Sequence, residues 1–364
     1  MQKIVPDIQF KKELGKLSKA PLNECIQCGT CSVVCSLAPD ERPFPRKEMI
    51  WAAWGLKDRL IGNPDIWLCH QCGDCSGYCP RDVKPADVLS AARHVSYVHY
   101  ARPAFLGRML SRPAWLPLAL LIPVAGIITI LSLAGTFSIP EGPVEYSKFF
   151  PHSWLNSSFS ILTLVIIAFT VTGLTRFWKD MQSKFPGQVR KKSFVRAFIS
   201  LLRELVTHRN FTGCSAQSSR KIAHLMVFYG FILLLFVTAY AIYAAISKNY
   251  PLAFTNPFKL LGNLASLFLI TGLAIMIINR ILNRDKYGHT GYSDWLFLVS
   301  LLVLTISGSL VEAARFGNWN FAYHLYFFHL CTVWFVIIYL PYMKFGHLLY
   351  RTTAMIFAKT IGRK

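Results

Sequence analysis

From about residue 115 onward the chain is a succession of long apolar runs joined by short polar connections. A bilayer-crossing helix needs about 20 mostly apolar residues. Six runs meet that requirement, at roughly 115–135, 154–177, 222–246, 257–281, 293–312 and 321–344. They raise the mean hydropathy of the 364 residues to +0.38, which is high for a soluble protein. The first 113 residues are polar, cysteine-rich and mixed in charge. The expectation is therefore an all-α protein, a soluble head followed by a six-helix transmembrane bundle. Its parts are expected at 1–100 (head), 101–114 (a linker around Pro103 and Pro113), 115–350 (transmembrane region) and 351–364 (a basic tail).

The net charge of +21 invites a nucleic-acid partner, but its distribution argues for a lipid bilayer. Lys and Arg outnumber Asp and Glu by only 16 to 11 in residues 1–113, but by 11 to 2 in 176–221 and by 5 to 0 in 344–364. Six crossings put both ends on one side. The connections on that side, with the tail, hold 19 basic residues, while the opposite side holds only Lys148, Lys248, Lys259 and Arg315. Positive charge gathers on the cytoplasmic side. The head, which opens without an apolar signal core, is thus expected in the cytoplasm, on a multi-pass protein of the cytoplasmic (inner) membrane.

Within the head, Cys25-Ile-Gln-Cys28-Gly-Thr-Cys31-Ser-Val-Val-Cys35 is followed by Cys69-His-Gln-Cys72-Gly-Asp-Cys75-Ser-Gly-Tyr-Cys79-Pro80. Each half has the C-x2-C-x2-C-x3-C spacing of a cubane iron–sulfur site. Three close thiolates grip one cube and the fourth reaches the other. Cys25, Cys28, Cys31 and Cys79 are expected on one [4Fe–4S] cluster, and Cys69, Cys72, Cys75 and Cys35 on a second. Zinc sites use separated pairs rather than repeated quartets, and disulfides need an oxidising compartment. Gly29 and Gly73, each after the second cysteine of its motif, ease the turns that aim amides at sulfur. Residues 1–24 are expected as an arm or short helix over the first cluster. A helix is expected around Arg46–Leu60 with Met49, Ile50, Ala53 and Trp54 on one face, and another over Asp87–Tyr100. Phe194–Val206 has the spacing of an interfacial amphipathic helix; His208 beside it identifies no reaction.

Histidines mark the membrane part. His329 and His347 are 18 positions apart, five helical turns or about 27 Å on one continuous helix. Intramembrane imidazole is costly without a partner, and haem iron between facing helices supplies one. His224, opening the third run on the cytoplasmic side, is the expected mate of His347 for an inner haem b. His152, at the outer end of the second run, is the expected mate of His329 for an outer one. One or two haems are thus expected, without the C-x-x-C-H of a c-type attachment. Cys214 and Cys331 fit no cluster motif. Glu312 and Arg315, one turn apart at the outer end of the fifth run, can meet and are the candidate quinol site, Glu312 accepting a proton and Arg315 keeping it ionised.

The head, from Cys25 to Cys31 through Pro45-Arg46-Lys47, Trp67-Leu68-Cys69 and Cys79-Pro80-Arg81-Asp82-Val83, resembles the C-type subunits of heterodisulfide reductases. The tail resembles the cytochrome b family of respiratory nitrate reductase gamma subunits, and more closely the membrane subunit of membrane-bound heterodisulfide reductase. Ile222-Ala-His224-Leu, Ser293-Asp294-Trp295-Leu296-Phe297 and His329 through Lys344-Phe-Gly-His347 to Arg351 carry that likeness. The fusion of both resembles the C-type subunits of quinone-interacting membrane-bound oxidoreductase complexes of sulfate reducers. The resemblance implies haem b, menaquinone as substrate, and partner subunits with flavin and iron–sulfur centres resembling the A-type subunits of heterodisulfide reductases. It also implies electron exchange with adenylylsulfate reductase. The nitrate reductase pattern has a second histidine ten residues on, where Leu234 stands here. The expected role is an electron-transfer subunit. The alternatives are a haem-free anchor with working clusters and a membrane component of another heterodisulfide reductase-like complex.

Overall fold

A computed structural model describes residues 4–38, 43–185, 193–207, 218–247, 252–283 and 288–363. His208 and Cys214 lie outside them. The chain is 76% helical, and the described residues contain no strand.

The head is built around the helix Pro85–Tyr100, which starts with Pro at its first turn and buries Val88, Leu89, Ala92 and Val95. Ile8–Ser18, capped by Asp7, lays Phe10 and Leu14 on it. That opening helix was expected over the first cluster. A helix does form in that stretch, and its Phe10 and Leu14 join the core around Pro85–Tyr100. The expected helix at 46–60 is two helices, Arg46–Ala53 and Lys57–Ile61, parted at Gly55 in the left-handed region (φ 67°). Its buried face is Met49 and Ala52, while Trp54 is 62% exposed, so the expected face is rotated.

Among the described residues, six helical stretches are long and apolar enough to cross a membrane: Pro113–Ala134, His152–Lys184, Ser219–Ile246, Pro257–Leu282, Tyr292–Phe316 and Ala322–Thr360. The third and fourth lie closest together. A Cβ at Gly272 would sit 2.9 Å from the carbonyl oxygen of Ala223, so the missing side chain sets their approach. The expected linker 101–114 is itself packed: the helix Ala104–Leu110 buries Leu106, Met109 and Leu110 against Tyr339 and Tyr342.

The sixth span departs most from expectation. Its helix runs Ala322–Tyr339, gives way to a tight turn at Leu340–Tyr342, passes through extended Met343, and resumes as Lys344–Thr360. Pro341 has no N–H to give and disfavours a helical residue before it. His329 and His347 therefore stand on two helices, and the five-turn register between them is corrected. Most of the segment expected as a basic tail, 351–360, is part of this second helix. It packs Tyr350, Ala354 and Phe357 into the head core, and Arg363 donates to Asp65 (Nη2 to Oδ2, 2.8 Å). Phe194–Thr207 lies alongside, with Ala197 and Leu201 buried against Ile356 and Phe198 and Leu202 exposed.

Candidate iron–sulfur and haem sites

The two cysteine loops repeat one backbone course. Gln27 and Gln71 have φ of 58° and 57°, and Gly29 and Gly73 have 87° and 93°, all left-handed. A one-turn helix follows each glycine, Thr30–Val33 and Asp74–Gly77. This curl turns donors onto sulfur. The Gln27 side chain reaches Cys25 Sγ at 3.1 Å, and the amides of Gln71 and Val83 reach Cys69 Sγ (3.3 Å) and Cys79 Sγ (3.4 Å).

The loops border two hollows. One is lined by Cys25, Cys28, Cys31 and Cys79, and the other by Cys35, Cys69, Cys72 and Cys75. Each hollow thus takes three thiols from one motif and the fourth from the other. Burial, then the neighbouring Cys25, Cys28 and Cys79, pushes the Cys31 thiol up to about 11, and burial pushes Cys75 higher still. Four thiolates facing one hollow repel, and a cationic iron core removes that penalty, so the donor set fits a cubane.

The two hollows differ in setting. Cys28 is exposed, beside the exposed apolar side chains Ile26, Val33 and Tyr78. Cys69 and Cys75 are buried, and Arg220 of the third span donates to the Gln71 carbonyl of the same loop (2.8 Å). Trp67, two residues before Cys69, is fully buried. Its ring lies 5.4 Å from the His347 ring, 5.8 Å from Tyr350 and 5.8 Å from Phe177 of the second span. Composition gave no sign of this wedge; its adjacency to Cys69 was the one available clue.

His347 and His224, from different helices, are close enough for their charges to interact. His329 lies against the fifth span, its Nδ1 2.9 Å from Ser307 Oγ, with Gly308 leaving room for the ring. The second span meets the adjoining face of the sixth through Leu155 and Phe159, which pack with Leu330 and Cys331. His152 is half-buried at the start of that second span.

The expected meeting of Glu312 with Arg315 is not what the side chains do. Glu312 pairs with Lys259 (3.4 Å) and accepts from Asn263 Nδ2 (3.3 Å), both on the fourth span. Arg315 donates to the Leu252 carbonyl and lies over the Phe316 ring. A cation on the neighbouring helix outcompetes one on the same helix, because it closes the contact between two spans.

An α-helical head with eight thiols around two hollows, seated on six apolar helices, defines a membrane-bound iron–sulfur electron-transfer subunit. Residues 21–83 match the 4Fe-4S dicluster domain family, which makes the head a carrier of two [4Fe–4S] clusters. Residues 107–364 match the citrate utilization protein B family, and the chain belongs to that family. It is 24% identical to citrate utilization protein B of Escherichia coli over 98% of this chain and 95% of that protein. The head alone is 37% identical over 91 residues to the C-type subunit of the H(2):CoB-CoM heterodisulfide,ferredoxin reductase of Methanothermobacter marburgensis, 24% of this chain and 48% of that one. It is 38% identical over 91 residues to a protein of Archaeoglobus profundus named for its likeness to the heterodisulfide reductase C-type subunit, 25% and 47% of the two chains. The head's likeness to the heterodisulfide reductase C-type subunits, fused to a membrane region, thus stands.

Proposed function

We propose that this chain moves electrons between menaquinone in the cytoplasmic membrane and a cytoplasmic partner carrying flavin and iron–sulfur centres. The observation that carries this reading is the contact between the head and the membrane histidines: Trp67, two residues before buried Cys69, lies 5.4 Å from the His347 ring. The clusters, and a haem b on the inner histidine pair, supply the one-electron carriers. Cys25, Cys28, Cys31 and Cys79 hold the first cluster, and Cys69, Cys72, Cys75 and Cys35 the second. Trp67 excludes water and fixes the His347 ring against the head. Ile26, Val33 and Tyr78 offer the partner an apolar face beside the solvent-facing cluster. The excess of Lys and Arg in the head-side connections supports a cytoplasmic head.

Visible spectra of the reduced purified protein test the reading. Bis-histidine haem bands are expected, and His224→Ala and His347→Ala should each abolish the same bands. Bands at full strength in either variant would overturn the pairing. The implied partner family favours adenylylsulfate reductase as acceptor. The full-length match to a protein named for citrate use favours a second reading, with a partner acting on a tricarboxylic acid. Identification of the proteins that co-purify with the native chain decides between them.

A further inference from the structure

The Cys69–Cys72 loop is held by arginines. Arg93, 4% exposed on the last head helix, donates to the Cys69 carbonyl at 3.1 Å and to the Gln71 side-chain oxygen. Arg220, at the head end of the third span, donates to the Gln71 carbonyl at 2.8 Å. Arg351, from the helix after the sixth span, is within electrostatic reach of Arg93, Arg220 and Cys69. The carboxylate that acts on Arg93 is Asp294, and it is already ion-paired with Lys344 and acted on by Arg280. Like charges brought together away from water are costly unless an anion faces them.

The loop they hold carries one, since Cys69 and Cys72 are two of the four thiols of the second hollow. A cubane core on four thiolates is net negative, and becomes more so on taking an electron. We propose that Arg93 and Arg351 are the electrostatic partners of the second cluster, favouring its one-electron reduced form. The bonds of Arg93 to the cysteine loop are what hold its charge there, since Arg stays protonated even when buried. The first hollow has arginines of its own, Arg46 and Arg81, but both are exposed beside the exposed Cys28 edge, so water and salt screen their charge. The role given to these arginines rests on the proposed division of the cysteines.

The test is a mediated redox titration of the full-length protein in detergent, reduced stepwise with dithionite and read by electron paramagnetic resonance. Cys72→Ser first identifies the second cluster's signal; a failure of the cysteine assignment shows at that step, before any arginine is changed. Arg93→Gln is expected to disfavour reduction of the second cluster about tenfold, a downward shift of about 59 mV for one electron, with the first cluster unmoved. Arg93→Lys, which keeps the charge, should recover most of the shift. Should Arg93→Gln fail to assemble the cluster, Arg351→Gln carries the test, with a shift in the same direction expected. An unchanged second-cluster potential in the assembled glutamine variant would overturn the proposal, as would equal shifts of both clusters.

Discussion

Truncating Trp67 is the sharpest structural test of how the head is seated. The side chain is fully buried and touches three rings from two elements of the membrane part, Phe177, His347 and Tyr350. Trp→Ala in a packed core costs about 3–5 kcal/mol. At about 1.4 kcal/mol per decade, the mid-range corresponds to nearly a thousandfold rise in the undocked population. Hydrogen exchange of the purified protein reads this directly. Trp67→Ala is expected to speed exchange by two to three orders of magnitude in 85–100 and 344–360, while 292–316 holds its wild-type rate. Trp67→Phe should cost far less, because the indole Nε1 is buried without an acceptor among the described residues and deleting it loses no bond. Less than a tenfold change, or equal acceleration in 292–316, would refute the view that this one ring seats the head on the spans.

Other outcomes follow from the site geometry. Cys79→Ser should destroy the resonance signal of the cluster held by Cys25, Cys28 and Cys31 and spare the other, and Cys35→Ser should do the reverse. Glu312→Gln is expected to leave quinol-driven reduction at its normal rate, since Glu312 is committed to Lys259; a severalfold loss with cofactor content intact would restore it as a proton acceptor. Burial, opposed by Lys47, raises the Glu48 carboxyl from 4.5 to about 7. The folded head therefore binds a proton that the unfolded chain has released. Its contribution to stability is full below about pH 4.5 and is lost as pH rises through 7, a span of about 3 kcal/mol. Glu48→Gln should flatten that slope and stabilise the head at pH 8, as measured by denaturation followed through cluster absorbance.

What was legible in the sequence was what is local. The cysteine spacing lies within a few residues of each sulfur, and the loops at Gln27–Gly29 and Gln71–Gly73 realise it with one repeated set of backbone angles. The spans were legible because bilayer thickness sets their length. Two of the failures involve a neighbour distant in sequence. Glu312 met Lys259, 53 positions away in the chain, instead of Arg315. The Met49–Ala52 face was chosen by the helices it packs against. The break at Pro341 was visible as a residue but was hidden by the unbroken apolar run around it.

That break has a consequence for the order in which the protein is made. The cysteine loops leave the ribosome before any span, yet Tyr350, Ala354, Phe357 and Arg363, which close over the head core, emerge only after the sixth span. The head must then wait through six insertions with the face that receives Tyr350 and Phe357 uncovered. Metallocluster loading thus has a natural interval, ended when the turn at Leu340–Tyr342 folds the following helix back against Trp67.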